Sequence, residues 1–137
     1  MKKVLIFCFL IALFLYASCH NSKSLNGQYF ISIIPIAKSN LEADGKSNFG
    51  SLSYKFTGSL PAYIDFEALI KSKDYSDIKI KDKSEILWSI DKGGIGDLTQ
   101  TGILKARLIL PKASTGSAKI NVEYKGTKSA LLLTFHI

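Results

Sequence analysis

Two acidic side chains, Asp65 and Glu67, stand two positions apart in residues 64–70, where apolar and polar residues alternate. On a strand this spacing places both carboxylates on one face, an arrangement that general acid–base catalysis or calcium binding can use. The same alternation is typical of a strand with one face in the core, whose acids only solvate the outer face of a sheet. We favour this second interpretation, which assigns the pair no chemistry.

The histidines and the glycine-rich run do not form a recognisable catalytic group. The chain has two histidines, His20 and His136, and a Ser-His-Asp arrangement needs a histidine held by a buried acid and facing a nucleophile. A penultimate histidine on a terminal strand is expected at the surface instead. The glycines at positions 93, 94 and 96 are not followed by a lysine–serine pair, so they indicate a turn and not a phosphate-binding loop.

Three further acids are poorly suited to a metal ion. Asp74, Asp77 and Asp82 are interleaved with lysines and lack the dense acidic spacing of a calcium loop. The sequence therefore predicts a protein that is not an enzyme, with no cofactor, no catalytic residues and no metal ligands.

The first residues predict export. Lys2 and Lys3 precede an apolar run at residues 4–16, and two small residues, Ala17 and Ser18, follow it. A basic start, a short apolar run and small residues before a cut define a secretory signal peptide. The run is shorter than the roughly 20 apolar residues of a membrane-spanning helix. An uncleaved N-terminal anchor helix is the alternative.

Cys19 is the one residue for which the sequence predicts a covalent modification. Residues 15–19, Leu-Tyr-Ala-Ser-Cys, resemble a lipoprotein signal, in which the cysteine receives a diacylglyceryl group before cleavage, although Tyr16 stands where leucine is usual. Cys8 leaves with the signal, so Cys19 has no disulfide partner, and lipidation accounts for the unpaired cysteine. Two or three acyl chains anchor a soluble domain stably. The alternative is an ordinary cut near Ser18 that leaves a free thiol.

These features divide the chain into a signal peptide (1–18), an acylated tether (19–28) and one domain (29–137). Removal of the signal leaves 119 residues and lowers the formal net charge from +7 to +5. A chain of this length suits a single domain. Lysine carries almost all of the positive charge, and Arg107 is the only arginine, so the composition does not favour nucleic acid as a partner. Scattered lysines favour solubility or proximity to anionic lipid or polysaccharide.

Short apolar segments broken by turn residues follow the tether, which is typical of an antiparallel β domain. We expect roughly seven to nine strands in two packed sheets with Greek-key connections. Pro35 indicates an edge strand or a strand switch, and Asp44-Gly45 indicates a turn. Trp88 lies between Ile86 and Ile90 on one face, so it is expected to be the central core aromatic; a half-exposed binding residue is the alternative.

Three other segments carry local predictions. Residues 71–83 are the most charged stretch, and Ile78 and Ile80 alternate there with lysines as on a solvated strand. Residues 91–101 contain three glycines and are expected to form a loop. Residues 125–127 are expected to form the tip of a hairpin between the last two strands.

Several segments resemble, in order, the bacterial immunoglobulin-like domains of group 1, the modules of invasin and intimin adhesins. The similar segments are residues 41–47, 86–90, 94–98, 101–102, 106–110, 116–122 and 124–126. The resemblance implies an all-β, immunoglobulin-like two-sheet sandwich with Greek-key connections and a surface location. The chain departs from the family in having surplus residues between Asn48 and Asp82, expected as an extra hairpin or long loop, and in carrying one domain without tandem repeats.

These observations lead to two functional hypotheses. The first is an envelope lipoprotein, held to the outer membrane or cell surface by its lipid, whose immunoglobulin-like domain is a structural, interaction or adhesion-related module. Its partner would be an envelope protein, a host protein or a glycan. The second is a small ligand-binding lipoprotein in which residues 48–82 form the lid of a pocket.

Overall fold

Alternating apolar and polar residues form nine strands in the computed structural model, which describes residues 29–46 and 50–137. The strands are β1 (Tyr29–Ser39), β2 (Leu41–Ala43), β3 (Ser51–Phe56), β4 (Ala62–Ser72), β5 (Ile86–Ile90), β6 (Asp97–Gln100), β7 (Lys105–Leu110), β8 (Gly116–Tyr124) and β9 (Thr127–His136). A short 3-10 turn, Lys83–Glu85, precedes β5.

The strands form two sheets with the orders β1-β4-β7-β6 and β2-β3-β9-β8-β5. The first order corresponds to the ABED sheet of immunoglobulin-like sandwiches, and β5, β8 and β9 correspond to the CFG sheet. Strand β3 joins the second sheet through parallel pairing with β9, whereas all other strand pairs are antiparallel. The prediction of an all-β two-sheet sandwich is confirmed.

Strand β4 shows how the sequence pattern builds the core. Every second residue of this strand points inward and is buried, and the residues between them point to the outer face. Phe66 at its middle has no solvent exposure, and Phe135 of β9 is equally buried. The pleat places successive side chains on opposite faces of the sheet. The period of two in the sequence therefore produces one buried face and one solvent-facing face.

Trp88 faces the core side of β5, as its alternation with Leu87 and Ser89 predicts, but it is not the central aromatic. It is half-buried and packs against both groups of core residues. Phe66 and Phe135 occupy the centre instead. The reason is topological: β5 is the edge strand of its sheet, so one flank of Trp88 has no neighbouring strand.

The turn predictions are confirmed where the structure describes them. Strands β8 and β9 are joined by Lys125 and Gly126, both with positive φ (46° and 81°), as two-residue hairpin loops require. Strand β1 is an edge strand whose register shifts between Pro35 and Ala37. Proline has no backbone N–H to donate, so it belongs at such an irregular edge.

Two local predictions are wrong. Residues 73–82 form no strand and pair only through the isolated bridge between Asp77 and Lys71, although Ile78 and Ile80 both pack against the core residues around Ile86. Residues 91–101 are not wholly a loop, since Asp97–Gln100 pairs with β7 as an edge strand.

The surplus expected between residues 48 and 82 is integral to the sandwich. Its described part, residues 50–82, supplies β3, which pairs with β2 and β9, and β4, which pairs with β1 and β7. Strand β3 pairs antiparallel with β2, which begins at Leu41, ahead of this segment.

Candidate interaction surface

Cys19, the predicted acylation site, lies outside the described residues, as does His20. The lipidation of Cys19 therefore stays a prediction. Within residues 29–46 and 50–137, no helix has the length and hydrophobicity that crossing a bilayer requires.

The structure places Asp65 and Glu67 together on the outer face of β4, but Asp65 is already bound. Arg107 of β7 donates to both of its carboxylate oxygens, from Nε at 2.7 Å and from Nη2 at 2.8 Å. The Arg107 guanidinium also lies over the Tyr63 ring, 4.3 Å from its centroid. Its hydrogen bonds hold the pKa of Asp65 below the usual value. This bidentate pairing occupies the carboxylate oxygens that a metal ion or a proton transfer would need. The cluster instead links strand β4 to strand β7.

A second cluster, not anticipated from the sequence, contains serine, aspartate and histidine. Asp44, after β2, accepts a 2.6 Å hydrogen bond from the Ser53 hydroxyl and a 2.9 Å bond from the Lys46 backbone N–H. His136 Nε2 lies 3.7 Å from the Asp44 carboxylate. The parallel pairing of β3 with β9 brings these residues together, because it places Ser53 beside Thr134 and Lys55 beside His136.

This cluster is connected in the wrong order for nucleophilic catalysis. A catalytic serine must give its proton to histidine, and the acid must hold the far side of the imidazole. Here the Ser53 hydroxyl donates to the Asp44 carboxylate, the weakest base available for activating it. The cluster therefore holds Asp44, which follows β2, against β3, as does the bond from the Asp44 N–H to the Ser53 carbonyl.

We expect Asp44 to contribute to the acid stability of the domain. The Ser53 hydroxyl and then the Lys46 N–H lower the pKa of Asp44 from its ordinary value of 3.8. Its stabilisation is therefore present above pH 3.8 and is lost as the pH falls through the lower pKa of the folded state. Asp44→Asn should lower the urea midpoint at neutral pH, and its difference from wild type should shrink in acid. Asp97→Asn removes an exposed carboxylate that makes no hydrogen bond within the described chain, and serves as the control. A difference that stays constant with pH would contradict this role.

The described residues contain no group of three or more histidine, cysteine, aspartate or glutamate side chains arranged for a metal ion. Asp74 instead accepts hydrogen bonds from the Ser72 and Ser76 hydroxyls, which lower its pKa to about 2. Asp82 caps the 3-10 turn through the Ser84 N–H. Gly93, Gly94 and Gly96 form the turn before β6.

The outer face of the five-stranded sheet has an open groove of about 610 Å³. It runs across the outward side chains of β5, β8 and β9. It is lined by Leu87, Ser89, Asp91, Lys119, Asn121, Val122, Glu123, Lys128, Ser129 and Ala130. Most of these side chains are polar, because this face of the sheet is directed away from the core.

The charges in this groove are matched across neighbouring strands. Asn121 Nδ2 donates to Asp91 Oδ1 at 2.7 Å, and Lys119 Nζ lies 3.7 Å from the other Asp91 oxygen. Lys128 Nζ lies 3.5 Å from Glu123. Exposed pairs of this kind contribute little to stability, about 0–1 kcal/mol, so they are readily exchanged for contacts with a partner. The groove thus presents alternating donors and acceptors and no activated group.

No residue from the 48–82 segment lines this groove, since all of its lining residues follow position 85. The expected lid is therefore not seen over this groove, and Ser72, Lys73 and Asp74 of the segment line a different open hollow beside Tyr29. Residues 51–56 and 62–72 of the segment form strands β3 and β4, which pair with a neighbouring strand on both flanks.

Fold and surface together define a class: a two-sheet all-β sandwich with the ABED and CFG strand order and a polar groove on the CFG sheet. No known family, characterised protein sequence or solved structure matches the chain.

Proposed function

We propose that this protein is an envelope lipoprotein whose single sandwich, of the bacterial immunoglobulin-like group 1 type, acts as an interaction module. In this proposal Cys19 holds the chain on a membrane, at the outer membrane or cell surface. The domain binds an envelope protein, a host protein or a glycan, and has an adhesion-related role. It performs no chemistry of its own.

The groove on β5, β8 and β9 is the observation that carries the interaction role. Its Asp91, Lys119, Glu123 and Lys128 side chains offer both signs of charge within one open surface. Extended partners, such as a glycan chain or a polypeptide segment, make many modest polar contacts of this kind. Asn121 and Ser89, which are paired across β8 and β5, add neutral donors and acceptors.

The same geometry counts against the alternative of a small-ligand carrier. Sites for small molecules are concave and bury most of the ligand surface. The groove is open and has ion pairs on its floor, so a small molecule bound there would remain largely in water.

One set of strains tests both parts of the proposal. Cells grown with a clickable fatty acid should label the wild type and Cys8→Ser, whereas Cys19→Ser should lose the label. In the same cells, a photo-crosslinking amino acid at Ala130, an exposed residue on the outward face of β9 in the groove, should capture a partner from the envelope. The same probe at Ser59, an exposed residue of the β3–β4 loop, should capture none.

Each part of the experiment can fail separately. Labelling that survives Cys19→Ser, or that is absent from wild type, would remove the lipid anchor from the proposal. Equal crosslinking from positions 59 and 130, with labelling intact, would remove the groove as the binding surface.

A further inference from the structure

Two exposed aromatic rings stack on each other at one end of the sandwich. Phe30 of β1 and Tyr75, between β4 and β5, have ring centroids 4.8 Å apart and planes only 6° from parallel. Their exposed fractions are 46% and 69%. Exposed apolar side chains that lie together are more informative than isolated ones, and here the stacked rings cover one face of each other.

The turn that carries Tyr75 is held in an unfavourable backbone conformation. Tyr75 has a φ of +64°, in the left-handed region that a bulky residue rarely adopts. Its N–H donates to the Ser72 carbonyl at 2.9 Å, and the Ser72 N–H donates to the Ser76 carbonyl at 3.0 Å. Asp74 closes the turn by accepting from the Ser72 and Ser76 hydroxyls. These bonds keep the Tyr75 ring outside the core.

Further apolar side chains are exposed at this end of the sandwich. Leu69 lies on the outer face of β4, two residues from Lys71, which pairs with Phe30, and Ile103 lies in the β6–β7 loop. The bond between the Ala68 N–H and the Leu104 carbonyl, 2.8 Å long, holds that loop against β4. We call this region, residues 29–30, 69–85, 101–105 and 125–126, the tether end.

The tether end also contains most of the excess positive charge of the domain. It has seven lysines and four carboxylates, a surplus of three, whereas the rest of residues 29–137 has a surplus of one. Lys71 pairs with Asp77, but Lys73 and Lys105 form no ion pair within the described chain. An end that combines exposed apolar side chains with a surplus of lysines complements a surface that is anionic outside and apolar beneath.

Covalent geometry places this end near the predicted anchor. Nine residues separate Cys19 from Tyr29, the first residue of β1. A fully extended chain spans at most about 3.3–3.6 Å per residue, so Tyr29 lies no further than roughly 33–36 Å from an acylated Cys19. The opposite end of the sandwich, with the β3–β4 and β7–β8 loops, is separated from Tyr29 by the length of the strands.

We propose that the tether end docks against the anionic surface of the membrane in which Cys19 is anchored, with Phe30 and Tyr75 inserted among the lipid headgroups. This inference rests on the proposed lipid anchor and extends it: the tether sets the distance, and the aromatic pair and the lysines set the orientation. Docking by this end leaves the outer face of the five-stranded sheet, with its groove, beside the membrane and open to a partner.

A single tryptophan placed at either end tests the orientation. In a Trp88→Phe background, Tyr75→Trp reports on the tether end, and Leu60→Trp reports on the opposite end, where Leu60 is similarly exposed in the β3–β4 loop. The acylated full-length proteins are reconstituted into vesicles of phosphatidylcholine and phosphatidylglycerol with chains brominated near the headgroup. The indole at position 75 should be blue-shifted and quenched by the brominated lipid, and the indole at position 60 should not. Quenching should weaken in phosphatidylcholine alone and at high salt, because the lysines act through the surface potential.

Flotation of the vesicles separates the possible failures. Protein that floats with the vesicles while position 75 is quenched no more than position 60 would overturn the docking and leave the anchor intact. Protein that does not float would overturn the anchor and the docking together. A photo-crosslinking amino acid at position 75 detects contact with a second copy of the chain. Dimers crosslinked through it, together with absence of quenching, would assign the aromatic pair to that contact and also overturn the docking. If Tyr75→Trp fails to fold, Phe30→Trp in the same background reports on the same end.

Discussion

Phe66→Ala is expected to lower the free energy of unfolding by about 3–5 kcal/mol, because both the transfer of a phenyl ring and the cavity left behind contribute. Phe66 is completely buried in the middle of β4, which pairs with strands on both sides and so has little freedom to collapse into the space. Small domains have only about 5–15 kcal/mol of stability in total. Urea denaturation of the purified mature chain should therefore show a large fall in the midpoint.

Phe30→Ala is the matched control for this prediction. It removes the same ring from the adjacent strand β1, but at a position that is about half exposed. Its stacking on Tyr75 accounts for no more than about 0.5–1.5 kcal/mol beyond the area that it buries. Similar losses from the two variants would mean that β4 does not direct Phe66 into the core.

Among the glycine-to-alanine substitutions in the turn before β6, Gly96→Ala is expected to lower the free energy of unfolding most. Gly96 has a φ of +91°, and an added Cβ would lie 2.8 Å from the Ile109 carbonyl oxygen and 2.9 Å from methyl carbons of Leu108 and Leu110. The left-handed conformation costs about 1–2 kcal/mol for a residue with a Cβ. Overpacking typically adds about 1–3 kcal/mol. The nearest neighbour is backbone of the paired strand β7, so it cannot move without breaking the β6–β7 ladder.

Gly93→Ala isolates the conformational part of this effect. Gly93 lies in the same turn and has a φ of +83°, but an added Cβ would meet no atom within 4 Å. Both variants should be destabilised in urea, and the excess loss in Gly96→Ala measures the steric clash with β7. Equal losses in the two variants would show that the turn is not held tightly against β7.

The face of each strand was readable from local sequence. In β4 the alternation of Ile64, Phe66 and Ala68 with polar residues predicted which side is buried, because a pleated strand sends successive side chains to opposite faces. The turn at Lys125-Gly126 was equally readable, since a two-residue hairpin loop needs residues that tolerate positive φ. The alternation at Ile78 and Ile80 wrongly predicted a strand. Both side chains pack against the same group of core residues, although neither residue belongs to a strand.

The candidate sites were harder to predict from the sequence than the buried faces. Asp65 was recognised as an outer-face acid, but nothing near it indicates its partner, Arg107, which lies 42 residues further along the chain. The cluster of Asp44, Ser53 and His136 depends on the parallel pairing of β3 with β9, a contact between distant segments. The groove likewise requires β5 and β9 on either side of β8, an order that no single strand specifies.

Local pattern was therefore sufficient for the β class, the buried faces and the tight turns, because each depends on the stereochemistry of a few consecutive residues. Tertiary structure decided the central position of Phe66 over Trp88, the edge strand at Asp97–Gln100 and the exposed pair of Phe30 and Tyr75. Strand neighbours are selected by the burial and backbone hydrogen bonding of the whole chain at once. A strand with one apolar face satisfies its own pattern beside many possible partners, and only the assembled sandwich determines which one it has.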